Sequence, residues 1–237
     1  MTDRLYFRQW LAGRDFARDD RLAQDMVNFV YAIGDRETGE ALLVDPAYSP
    51  SDLLDLLSAD EMTLRGVLAT HYHADHVGGD LMGHSIAGIA ELLDLVEIPV
   101  HVNRAEASWV STCTGVGADV LVVHESNDRV CVGAVDVTLI HTPGHTPGSQ
   151  CFLVDDRLVS GDTLFLEGCG RTDLPGSDPE EMYRSLSERL SRVSDDTMLF
   201  PGHRYSSEPF AAMGVVRESN YALAPTSLEQ WLATFAR

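Results

Sequence analysis

Six consecutive residues, His71-Tyr72-His73-Ala74-Asp75-His76, carry three imidazoles and a carboxylate. These are side chains that divalent zinc, manganese and iron accept at neutral pH, so the segment reads as a metal site. His71 and His73, two apart, reach one ion, and Asp75 and His76 then face a second ion nearby. Thr70 before the segment and Val77-Gly78-Gly79 after it read as a strand-end loop feeding a helix. Single donors follow later in the chain. His145 lies in Thr142-Pro143-Gly144-His145-Thr146-Pro147-Gly148, where two Pro-Gly pairs force a tight loop and leave the imidazole projecting. Asp162 lies in Ser160-Gly161-Asp162-Thr163, and His203 closes Phe200-Pro201-Gly202-His203.

Each of these clusters ends a short apolar segment that reads as a buried strand: Val67 to Ala69, Val137 to Ile140, Leu158-Val159 and Met198 to Phe200. Strand ends converging on one point make a two-metal cleft. Elsewhere, Asn28 to Ile33, a turn through Gly34 to Gly39, and Ala41 to Val44 read as a hairpin. Ser51-Asp52 is expected to cap a helix through Leu57, and a further helix is expected around Ile86 to Val96. Strands are expected at Val100 to Val102, Val120 to Val123 and Val135 to Ile140. Asp178-Pro179-Glu180-Glu181 begins a helix with Met182, Leu186 and Leu190 on one face, and Thr226 to Phe235 reads as a closing helix.

A chain of 237 residues that is 44% hydrophobic can bury a full core, and one domain spanning 1–237 is expected. Acidic residues number 37 against 17 basic ones, every basic residue is Arg, and the net charge is −20. Such a charge repels phosphate backbones and anionic membrane surfaces, so neither nucleic acid nor membrane is an expected partner. No apolar segment approaches the ~18–20 residues of a membrane span, and Asp3, Arg4 and Arg8 interrupt any signal peptide, which points to the cytoplasm. Cys113, Cys131, Cys151 and Cys169 form no Cys-x-x-Cys pair. Cys131 and Cys151 are expected to be buried strand residues.

At this point the sequence resembles the metallo-β-lactamase superfamily, whose His-x-His-x-Asp-His signature is followed by a lone His, a lone Asp and a final His. The resemblance implies a four-layer αβ/βα sandwich. It also implies that His71, His73 and His145 hold one metal, that Asp75, His76 and His203 hold a second, and that Asp162 bridges them. Thr163 is expected beside the bridging carboxylate. Two divalent ions, with zinc first and iron or manganese as alternatives, would lower the pKa of a water to about 7, supplying a hydroxide nucleophile and polarising a carbonyl. Asp162 and Asp75 are the expected catalytic carboxylates, Asp162 fixing the metal separation and accepting a hydrogen bond from the hydroxide, Asp75 orienting or taking the proton as the leaving group departs.

Asp162 disfavours antibiotic hydrolysis, because the antibiotic-hydrolysing members generally lack that carboxylate, whereas the glyoxalase II group has it. Phe7-Arg8-Gln9, Gly34-Asp35-Arg36-Glu37, Val44-Asp45-Pro46, Gly168 to Asp173 and Arg217 to Asn220 are similar to the persulfide dioxygenase branch. That branch uses one Fe(II), held by the positions matching His71, His145 and Asp162. Arg171 and Tyr205 match thiol-contacting positions in these relatives, although a buried Arg171-Asp173 ion pair is an equally good reading of Arg171. Against the dioxygenase, the stretch from Gly79 to Trp109 is longer than that branch carries. Against glyoxalase II proper, Arg171-Thr172-Asp173 stands where two aromatics are usual, and only 34 residues follow His203. The expectation is a metallo-hydrolase of a thioester or related ester, its partner a thiol-derived small molecule, with the iron persulfide dioxygenase as the alternative. A homodimer is compatible with either. His101, His124 and His141 read as structural, and His84 reads as loop packing near the entrance.

Overall fold

The computed structural model describes residues 4–235. Strand β1 (Leu5–Leu11) is followed by helix α1 (Arg21–Met26), and the chain returns antiparallel to β1 as β2 (Phe29–Asp35). The expected hairpin forms, with β3 (Glu40–Val44) running back along β2 from Tyr31↔Val44 to Asp35↔Glu40. Helix α2 (Pro50–Ala59) crosses over to β4 (Thr63–Leu68), which lies parallel to β3. After β4 comes the histidine segment, ending in the one-turn helix α3 (Ala74–Val77). A separate two-stranded hairpin, β5 (Gly79–Leu81) with β6 (His84–Ile86), follows. Helix α4 (Ile89–Leu95), β7 (Val100–Asn103), α5 (Ala107–Thr114) and β8 (Leu121–His124) complete a six-stranded sheet in the order β1-β2-β3-β4-β7-β8.

The second sheet is a meander of β9 (Arg129–Val132), β10 (Val135–His141), β11 (Gln150–Val154) and β12 (Arg157–Gly161). Helix α6 (Pro179–Arg184), extended by further helical turns to Arg192, crosses over to β13 (Met198–Pro201), parallel to β12. Then β14 (Ala211–Ala212), α7 (Met213–Ser219) and α8 (Leu228–Phe235) close the described chain, and the sheet order is β14-β13-β12-β11-β10-β9.

Side chains alternate across a strand, and the sequence uses both faces. On β2, Tyr31 and Ile33 point toward Val137, Leu139, Phe152 and Phe200 of the other sheet, while Val30 and Ala32 join Leu53, Leu57, Ile89 and Leu92 under the helices. On the far face of the second sheet, Leu158 and Leu199 pack with Met182, Leu186, Met213 and Trp231. Each such Leu, Ile or Phe side chain contributes about 1.5–3 kcal/mol by leaving water. Three apolar layers between helix, sheet, sheet and helix make the αβ/βα sandwich, and the strand alternation fixes which donors reach its edge.

Asp178 caps α6 as expected, its carboxylate accepting from the N–H groups of Glu180 and Glu181. Other local expectations require correction. Helix α2 begins at Pro50 after Ser49, and Asp52 accepts instead from the N–H of Ala17, so Ser51-Asp52 is not a cap. The helix expected from Ile86 starts at Ile89, because residues 84–86 pair as β6. Cys151 is buried, but Cys131 is on the exposed face of an edge strand, where its thiol donates to Asp136. Among the described residues no helix is long and apolar enough to cross a membrane.

Candidate metal centre

The carboxyl ends of β4, β10, β12 and β13 lie at one edge of the sandwich, and the loops leaving them carry His71 to His76, His145, Asp162 and His203. His73 has extended backbone and opens α3, whose single turn carries Asp75 and His76. The donors gather in two groups. His71 Nε2 lies 3.1 Å from His73 Nδ1, which lies 3.0 Å from His145 Nε2. Nε2 of His76 and of His203 lie 3.2 Å apart, and Asp75 Oδ2 lies 3.4 Å from His203 Nε2. Asp162 stands between the groups: Oδ2 is 3.7 Å from His145 Nε2 and 3.3 Å from His203 Nε2, and Oδ1 is 3.4 Å from His76 Nε2. The seven side chains read from the sequence therefore form one cluster drawn from both halves of the chain.

The backs of the rings are held as well. Thr70 Oγ1 donates to Asp45 and so accepts from His71 Nδ1 at 2.9 Å. Asp45 also accepts from His76 Nδ1 at 2.9 Å, the Arg171 carbonyl from His145 Nδ1 at 2.8 Å, and the Met26 carbonyl from His203 Nδ1 at 2.8 Å. These bonds fix the proton on Nδ1 and turn each Nε2 into the cluster, which is the arrangement a metal-binding imidazole needs. Asp45 is near His71 and His76 but on the far side of the rings, so it supports the donors instead of joining them. Close approach is also built in: a Cβ on Gly202 would sit 2.3 Å from Asp162 Oδ1 and 3.0 Å from His76 Cε1.

Charge sorts the donors. Burial lowers His71, His73 and His145, taking His73 to about 4, and neighbouring imidazoles reinforce this for His71 and His73. Burial also opposes charging of His76 and His203, but the carboxylates of Asp75 and Asp162 outweigh it and raise both. Burial alone would raise Asp75 and Asp162; the imidazoles of His76 and His203 outweigh it and hold both far below the ordinary carboxylate range. Two ionised carboxylates facing five ring nitrogens call for positive charge among them. Asp162 Oδ1 is buried with no hydrogen-bond partner. An orphaned carboxylate oxygen amid converging imidazoles fits a divalent-cation site.

Sequence reasoning did not single out Asn28, Tyr48 or Glu106. Asn28 Nδ2 donates to Asp75 at 3.0 Å, and its Oδ1 accepts from the Tyr48 hydroxyl at 2.8 Å. Glu106 is buried and ties two donor loops together, accepting from Tyr72 N, Thr146 Oγ1 and Gly148 N at 2.8, 2.7 and 2.6 Å. Nothing in their spacing marks these residues, since they come from remote elements. Thr163 is close in sequence but bonds Thr142 at 2.8 Å and not the Asp162 carboxylate, which corrects that expectation.

A cavity of about 710 Å³ opens over the cluster. Tyr205 lines it, 56% exposed, its ring stacked on His203 at 4.8 Å between centroids. Arg171 lines it too and pairs with Asp173 through 2.9 and 2.8 Å hydrogen bonds, but the pair is exposed where a buried one was considered. His84 is exposed on β6 outside this lining. His101 and His124 pair with each other at 2.9 Å, and His141 bonds the Pro147 carbonyl, shaping the Pro-Gly loop.

A family model described as "Metallo-beta-lactamase superfamily" matches residues 24–203. The chain belongs to the metallo-beta-lactamase superfamily. Its members' names indicate a metal-dependent enzyme, either hydrolase or dioxygenase. The chain is similar to a hydroxyacylglutathione hydrolase of Shewanella loihica, 32% identical over 83% of this chain and 69% of that protein. It is also similar to the mitochondrial persulfide dioxygenase ETHE1 of Homo sapiens, 31% identical over 75% of this chain and 64% of that protein. Among solved structures, ETHE1 from Myxococcus xanthus superposes with a TM-score of 0.79 at 28% identity, over 98% of this chain and 90% of that one. The superfamily thus holds both activities among this chain's relatives.

Proposed function

We propose that this protein is a two-metal hydrolase of a small-molecule thioester or related ester. In this reading His71, His73 and His145 would hold one divalent ion and Asp75, His76 and His203 the other, with Asp162 standing between the two groups. The observation that carries it is the position of Asp162, within 3.7 Å of donors from each group and with a buried oxygen left without a partner. Zinc suits the imidazole-rich donor set. Two such ions, when bound, supply a hydroxide nucleophile at neutral pH and polarise the scissile carbonyl.

The chain's own residues do the rest. Asp75 lies on the cavity floor, kept ionised by the imidazoles of His76 and His203, and its Oδ2 is held by Asn28. The ionised carboxylate can therefore only accept hydrogen bonds, and its place on the cavity lining lets it orient an attacking water. The carboxylates of Asp75 and Asp162 are largely withdrawn from solvent, which strengthens their interactions with whatever cation they face.

The test is thiol release from a small acyl thioester by protein titrated with zinc. Rate should climb until two equivalents are bound, and Asp75→Asn, which takes a carboxylate donor from the second group, should weaken the second equivalent and lower kcat by about 10²–10⁴-fold. A full rate at one equivalent, or an unimpaired variant, contradicts the proposal. A second reading, the iron persulfide dioxygenase, is supported by the extent of the likeness to ETHE1 from Myxococcus xanthus. It would use His71, His145 and Asp162 for one iron and leave the second group of donors without a metal role.

A further inference from the structure

We propose that the substrate of this site joins an apolar acyl group to an uncharged thiol carrier, and that the cavity mouth selects against an anionic carrier such as glutathione. The inference rests on the thioester reading and concerns the walls of the same cavity. Above the donor floor the lining is largely apolar: Tyr72, Leu81, Met82, Phe165, Leu174 and Tyr221 are among its residues. Met82 forms the tip of the β5-β6 hairpin and is 94% exposed. Strands β5 and β6 pair only with each other, and Leu81 and Met82 at the end of the hairpin line the cavity. A large thioether side chain held in water beside a cavity is what an apolar ligand would cover. The volume of about 710 Å³ suits a ligand of metabolite to drug size.

Charge at the mouth points the same way. The lining beyond the donors includes Asp80, Glu167 and Arg171, and Arg171 is its one arginine among the described residues. Arg171 is bonded to Asp173 through both Nε and Nη2, which offsets part of its charge. Asp80 accepts from the N–H of Gly83 and remains exposed, as does Glu167. Among the described residues neither carboxylate has an ion-pair partner, at the entrance of a chain whose net charge is −20 and which has no lysine. Glutathione brings two carboxylates and one ammonium, a net charge of about −1 at neutral pH. It would meet like charge at the rim, where the one cation of the lining among the described residues, Arg171, is already paired with Asp173. An uncharged carrier meets no such repulsion, and the acyl chain lies along the Met82 wall.

Binding of thioethers tests this without chemistry, because they have no scissile carbonyl. S-octyl-N-acetylcysteamine and S-octylglutathione would be titrated calorimetrically into the zinc-loaded protein at low salt. The neutral thioether should bind at least tenfold tighter, and the gap should narrow as salt is added or in the double variant Asp80→Asn, Glu167→Gln. Met82→Asp, a change at an exposed tip that the fold does not need, should weaken the neutral thioether several-fold. Equal or tighter binding of S-octylglutathione overturns the proposal, as does an affinity for the neutral series that does not change from S-methyl to S-octyl. If the preference holds and no thioester is hydrolysed, the hydrolase reading fails while the cavity's selectivity stands.

Discussion

Single residues behind the donors decide whether the donors are preorganised. Glu106 is the clearest case, because one buried carboxylate joins the backbone beside His73 to the loop that carries His145. Burial pushes its pKa up to about 7 even though three donors bond it. Replacing an acceptor oxygen with an NH₂ in Glu106→Gln sets a donor against Gly148 N–H or against the Tyr72 and Thr146 donors. We expect that variant to stay folded and to hold zinc about 10–100-fold more weakly, the range for residues that support metal ligands. Competition with a chromophoric chelator reads this directly, and unchanged affinity would mean that the loops position themselves. His101 illustrates a different residue-scale effect. Its burial, with His124 beside it, lowers its pKa from 6.5 to about 4. The unfolded chain therefore takes up a proton that the folded chain refuses, and the stability associated with neutral His101 is present above about 6.5 and lost as pH falls toward 4. Urea unfolding of His101→Gln should show a shallower acid limb than the parent between these values; parallel limbs would contradict it.

At the scale of elements, the donor loops were legible because chemistry and pattern coincide there. Apolar runs ending in Thr70, Gly161 and Gly202 announce buried strands, and the next polar side chains have to emerge at the sheet edge. The hairpin over residues 28–44 and the cap at Asp178 follow from local turn and cap preferences, and both formed as read. The β5-β6 hairpin was not legible: its strands are three residues each, too short for any alternation to stand out. Asp52 was misread because a side chain that looks like a cap found a remote partner in Ala17, a tertiary contact that no window of sequence contains. Asn28, Tyr48 and Glu106 escaped notice for the same reason. The left-handed backbones of Val27, Asp45 and Tyr48 lie beside or within the residues that support the donors, where such strain costs about 1–3 kcal/mol each. Close packing of loops makes a further prediction. Gly202→Ala would drive a methyl into Asp162 and His76, so β13 should stay in the sheet while zinc binding is lost. Calorimetry should find a folded, cooperative transition with no zinc-dependent rise in Tm. A normal rise would show that the β13 loop yields.

Over the whole molecule, a net charge of −20 lies on a sandwich whose apolar layers must outweigh the self-repulsion. Salt should therefore stabilise the protein. Between ~10 and ~100 mM NaCl the screening length falls from ~30 to ~10 Å, and Tm should rise by about 2–4 °C, as for roughly 1 kcal/mol at this size. A flat or falling Tm would mean that the acidic groups are already locally compensated. The same scale holds the main functional question, because both halves of the sandwich supply donors and the whole set serves either two-metal hydrolysis or one-iron oxidation. Oxygen consumption decides between them most directly. Protein loaded anaerobically with iron, its bound iron quantified in the same sample, would be given a low-molecular-weight persulfide, while a zinc-loaded sample is given an acyl thioester. The proposal predicts thiol release from the zinc-loaded protein and no oxygen uptake above background from the iron-loaded one. Rapid oxygen uptake that disappears in His145→Ala, without thioester hydrolysis, would contradict it and make the protein a mononuclear iron dioxygenase.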